Sequence, residues 1–89
     1  MAQEEPVNGE LYWTPSWFYA SEIGAVPTKT CFIEENAIIL LLCVAKHKNY
    51  MELRFLCGTK ACQLLLNKET YLERFNVLFK PVSSLPNID

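Results

Sequence analysis

The chain reads as a small α+β domain: an antiparallel β-meander, bent into a sheet and capped by one C-terminal amphipathic helix. Three observations predict this class. Residues 50–57 alternate strictly, with Met51, Leu53, Phe55 and Cys57 on one side and Tyr50, Glu52, Arg54 and Leu56 on the other, which is the period of a half-buried strand. Tyr71, Leu72, Phe75, Leu78 and Phe79 recur at helical spacing and form one apolar stripe. The 89 residues are 51% hydrophobic and 20% charged, enough for one modest core and too few for a second.

Residues 1–10 are polar, contain Pro6, Asn8 and Gly9, and are expected to be a flexible lead-in. The globular domain is expected over residues 11–80. Residues 11–19 hold five of the eleven aromatics. Short strands are expected near 11–14, 17–23 and 29–34, with Gly24 and Pro27 breaking the chain between the last two.

The middle of the chain is fixed by register. Gly58-Thr59 supplies a two-residue turn, and glycine at its first position suits type II′. Phe55 then faces Cys62, Leu53 faces Leu64 and Met51 faces Leu66, all apolar pairs on one side of the sheet. Residues 46–49 close a second hairpin with Ala45 opposite Tyr50. That places Val44 against Met51, Leu42 against Leu53 and Leu40 against Phe55, so the apolar faces coincide again.

The helix follows. Asn67 is a good N-cap residue and Glu69 complements the positive end of the dipole. Pro81 stops the helix, giving a span of 68–80. The stripe is expected to pack on Leu40, Leu42, Leu53, Phe55 and Leu64. Residues 81–89 read as an irregular tail.

A meander ending in one amphipathic helix resembles the pleckstrin-homology-like superfold over residues 37–80. The resemblance implies a long C-terminal helix plugging one corner of a bent sheet, and an adaptor role. Members that bind lipid headgroups use basic residues at the first hairpin. Here residues 11–30 carry Lys29 alone, with Glu22 nearby, so phosphoinositide binding is not expected.

In that register Ile39, Leu41 and Cys43 lie on the face away from the helix, joined by Leu56, Ala61 and Leu65. A strand apolar on both sides must be covered twice. Either the aromatic N-terminal segment or another chain supplies the second cover. Trp13, Trp17, Tyr19, Ile39 and Leu41 are therefore the candidate partner-binding residues, since exposed apolar patches mark interfaces and Trp and Tyr dominate them.

Other chemistries are poorly supported by the sequence. Cys43-x3-His47 and Cys57-x4-Cys62 have metal-like spacing, but the register puts Cys43 on the opposite face, so no metal is expected. His47 is the one histidine, the pairs Glu4-Glu5 and Glu34-Glu35 sit beside turns or the terminus, and the three glycines are isolated. Neither catalysis nor a cofactor is expected.

The run 37–45 is nine residues long, half of what a membrane helix needs, so no membrane insertion is expected. Residues 1–5 lack the basic-then-apolar pattern of a secretory leader. The four cysteines are accordingly expected to be reduced thiols in a cytoplasmic or nuclear protein. Eight basic against ten acidic residues give a net charge of −2, which disfavours nucleic acid as a partner. The expected function is a non-enzymatic intracellular protein-interaction module, an adaptor or complex subunit, using its apolar surface on a protein partner or a second copy. The alternative is a single-stranded nucleic-acid binder that stacks bases on the same aromatics.

Overall fold

A computed structural model describes residues 4–84. It forms one antiparallel sheet from seven strands: β1 (Leu11–Trp13), β2 (Phe18–Glu22), β3 (Thr30–Ile33), β4 (Ile38–Lys46), β5 (Tyr50–Cys57), β6 (Lys60–Asn67) and β7 (Lys80–Pro81). One helix, α1 (Tyr71–Leu78), lies between β6 and β7, and a 3-10 turn spans Val82–Ser84. The strand order is β3-β2-β6-β5-β4-β1-β7. The molecule is thus mostly sheet with one helix, a small α+β fold.

The β5–β6 hairpin has the register read from the sequence: Phe55 faces Cys62, Leu53 faces Leu64 and Met51 faces Leu66. Gly58 adopts φ +65° in its turn, a conformation that costs glycine little.

The β4–β5 pairing differs from expectation. Val44 faces Leu53 rather than Met51, and Lys46 faces Met51, because the turn is one residue tighter at each side. A slip of two keeps every side chain on its face. The register then shifts between Leu41 and Cys43 at a β-bulge, so that Leu41, not Leu40, faces Phe55. One extra residue reverses the alternation beyond it. Ile39 and Leu41, expected on the outer face, are core residues at 1% exposure, whereas Leu42 is 39% exposed. Every position from 37 to 45 is apolar, so the pattern of this strand could not reveal the reversal.

The sheet must curl. β1 and β2 are four strand positions apart in the sheet, about 19 Å if it were flat. Five backbone steps join Trp13 to Phe18 and reach at most about 18 Å. Ile33 to Ile38 is an equally short link across the same four positions. Thr14 ties the two crossings together. Its hydroxyl donates to the Glu34 carbonyl (2.6 Å) and accepts from the Ala37 N–H (2.9 Å). Its backbone N–H donates to the Ala37 carbonyl (3.0 Å) and its carbonyl accepts from the Asn36 N–H (2.6 Å).

The concave side holds the core. Phe18, Phe55, Phe75 and Phe79 meet there in tilted and edge-on contacts, with Phe18–Phe79 at 5.3 Å and Phe55–Phe79 at 5.7 Å. Tyr12 of β1 adds an edge-on contact to Phe75 at 5.1 Å. The N-terminal aromatics thus do not form a second layer over the sheet. β1 extends the sheet itself, and Tyr12 enters the core.

Helix α1 is shorter than the expected 68–80. The Asn67 side chain accepts the Glu69 N–H at 2.9 Å and so caps the turn 68–70 that precedes the helix. At the other end Phe79 is already extended, at φ −130° and ψ 135°, and Lys80 precedes Pro81, which disfavours helix. Eight residues give a helix about 12 Å long, short of the long C-terminal helix of the pleckstrin-homology-like resemblance. The stripe is as expected: Phe75 and Phe79 are buried, and Tyr71 and Leu78 pack against the core.

Residues 4–10 precede β1 and are fastened to the body. Gly9 N–H donates to the Leu41 carbonyl at 2.7 Å, Leu41 N–H donates to the Glu10 carbonyl at 3.0 Å, and the Asn76 side chain donates to the Glu4 carbonyl at 2.9 Å. The expected tail begins inside β7; residues 85–89 of it, and residues 1–3 of the expected lead-in, lie outside the described residues.

Candidate functional site

Strands β2 and β3 form a hairpin at one edge of the sheet, with Tyr19 directly opposite Phe32. Strand alternation sends Phe18, Ala20, Cys31 and Ile33 into the core, so their neighbours must face outward. Trp17, Tyr19 and Phe32 are 57%, 58% and 53% exposed. They stand together: ring centroids are 5.6 Å apart for Trp17–Tyr19, 5.8 Å for Trp17–Phe32 and 5.5 Å for Tyr19–Phe32. Mutual packing holds three large rings in place while leaving more than half of each in water.

The five candidate residues therefore separate. Trp17 and Tyr19 belong to this cluster. Ile39 and Leu41 are in the core. Trp13 is half-buried on β1, three strands beyond β6, and its indole N–H is buried without a hydrogen-bond partner among the described residues. Phe32 was not among the candidates. Its signal was available, since the alternation of 30–33 opposes it to Tyr19 once the hairpin is drawn.

A groove of about 380 Å³ opens beside the cluster. The pairs Ser21–Gln63 and Glu22–Cys62 join β2 to β6; beyond them residues 18–20 and 64–66 part. Phe18, Leu64, Leu66 and Leu78 line the groove, with Tyr19 and Arg74 at its rim. Arg74 is exposed and makes no ion pair among the described residues.

A polar cluster occupies the outer side of β5. The Glu52 carboxylate accepts from Arg54 Nε and from His47 Nε2, each at 2.8 Å. His47 also stacks on Tyr50 with centroids 4.5 Å apart. Glu52 is 5% exposed although it lies at the surface layer, because these two side chains cover it. The Arg54 hydrogen bond holds its carboxyl below the usual range, against the opposing effect of burial and with help from His47. Both oxygens are occupied, so the cluster is built to fix the β4–β5 turn rather than to transfer protons.

All four cysteines are free thiols. Burial, with a hydrogen bond to Cys31, pushes the Cys62 thiol up to about 12, and burial raises Cys57 as well. Thiols held neutral in this way are poor nucleophiles. Among the described residues no group of three or more His, Cys, Asp or Glu could hold a metal ion, and no helix is long and apolar enough to cross a membrane. In comparisons with known proteins the chain matches no family model, no curated protein and no solved structure.

Proposed function

We propose that the protein is a non-enzymatic interaction module, an adaptor or complex subunit that binds a protein partner through the outer face of the β2–β3 hairpin. The observation that carries this reading is the cluster Trp17/Tyr19/Phe32, three rings packed together yet more than half exposed. Trp and Tyr are the residues on which interface energy concentrates. The cluster also adjoins an open edge strand, β3, where a partner strand can add. The meander-then-helix order shared with pleckstrin-homology-like adaptors supports the same role. An intracellular setting, cytoplasm or nucleus, is part of the proposal and is supported by four free thiols.

The three half-exposed rings offer roughly 300–400 Å². A stable dimer needs about 800 Å² on each copy, so the rings suit a heterologous partner better than a second copy. The test is selection of displayed protein fragments on the wild type and on the double variant Trp17→Ala/Phe32→Ala. Binders should be retained by the wild type and lost by the variant. A set of binders indifferent to both substitutions overturns the proposal. So does a salt-dependent affinity for oligothymidylate that needs the same rings, because that is the signature of single-stranded nucleic-acid binding.

A further inference from the structure

We infer that the groove between β2, β6 and α1 binds an extended peptide of the partner, seating an apolar side chain on its floor and a neighbouring carboxylate on Arg74. The inference rests on the interaction-module reading and names the chemistry of the partner. Four features lead to it. The strands that wall the groove stop pairing at Ser21–Gln63, so the facing edges of 18–20 and 64–66 make no ladder pairs with each other. Such edges suit the main chain of an extended peptide. The floor of Phe18, Leu64, Leu66 and Leu78 is wholly apolar. Its volume of about 380 Å³ lies in the range of small-ligand sites and fits one or two side chains, not a folded surface.

The fourth feature is charge. Arg74 stands at the rim with no carboxylate partner among the described residues, whereas Arg54 is committed to Glu52. A guanidinium binds a carboxylate in a planar two-point fork. The complementary ligand is thus an aliphatic or aromatic residue followed or preceded by Asp or Glu. Tyr19 belongs to both groove and ring cluster, so peptide in the groove would continue onto Trp17 and Phe32.

The experiment uses a positional-scanning pool of N-acetylated pentapeptides, titrated against the full chain. The wild type should prefer Asp or Glu over Asn or Gln at one position by about tenfold, the size of a charge-assisted bond. An apolar residue should be preferred beside it. Arg74→Gln, a substitution at an exposed site, should erase the acidic preference, and Arg74→Lys should keep part of it. No acidic preference, or one that survives Arg74→Gln, overturns the inference. Binding that depends on Trp17 and Phe32 but not on Arg74 also overturns it, and leaves the interaction-module reading standing.

Discussion

Thr14 has no exposed surface, yet its hydroxyl and backbone bond three residues of the opposite crossing, Glu34, Asn36 and Ala37. A buried hydroxyl is tolerated when both its donor and its acceptor are used. Thr14→Val keeps the shape and removes both side-chain bonds, leaving the Glu34 carbonyl and Ala37 N–H unsatisfied. It should cost about 1–3 kcal/mol in urea denaturation, and Thr14→Ser should recover most of that. Glu52 gives a prediction in pH. Its carboxyl is held lower in the folded chain than in the unfolded one. Its contribution is therefore present above the unfolded value, about 4.3, and is lost as pH falls through the folded value. Chemical denaturation of wild type and Glu52→Gln across pH 3–7 should show a stability gap that is widest near neutrality and closes in acid. A gap that widens in acid contradicts the ion cluster.

At the scale of elements, β4 is the informative case. Its bulge sends Leu41 inward and Leu42 outward, the reverse of what simple alternation from the β5 register gives. Leu42→Lys should change the melting temperature little, because surface substitutions stay within about 0.5 kcal/mol. Leu41→Lys should prevent folding, because it buries an unpaired charge. The opposite ranking would show that the bulge is absent. The β5–β6 hairpin was legible because Tyr50 to Cys57 carry polar residues at alternate positions and Gly58 fixes the turn. β4 was not, because a strand apolar at every site specifies burial without specifying a face. The ends of α1 were similarly misplaced: Asn67 caps a turn rather than the helix, a competition between local hydrogen bonds that propensity cannot rank.

For the whole molecule, the split between core and ring cluster predicts two kinds of aromatic. Phe55 and Phe75 are buried at 0% and 2% exposure, and replacing either with Ala should cost about 3–5 kcal/mol. Trp17 and Phe32 are more than half exposed and lose only ring-to-ring contacts, so each Ala variant should cost about 0.5–1.5 kcal/mol. Thermal or urea unfolding of the four variants checks the ranking. A Trp17 variant as unstable as the Phe55 variant would make the cluster part of the core and remove it as a docking face. The hydrophobic excess beyond one sheet face and one helix is also resolved at this scale. Part of it goes into the concave core through Ile39, Leu41 and Tyr12, and part stays outside as Trp17, Tyr19 and Phe32.

By itself, the sequence determined the α+β class, the register of β5 on β6 and the apolar stripe of the helix. Each of these is encoded by a short-range period, and short-range periods survive without knowledge of the rest of the chain. It also placed Trp17 and Tyr19 among the exposed candidates. Only the tertiary structure decided that the sheet curls, that Thr14 stitches its two crossings, and that β4 reverses its faces. It alone brought Phe32 beside Trp17 and opened a groove next to Arg74. Those features depend on which distant strands become neighbours, and that is settled by closing one core with links too short for a flat sheet.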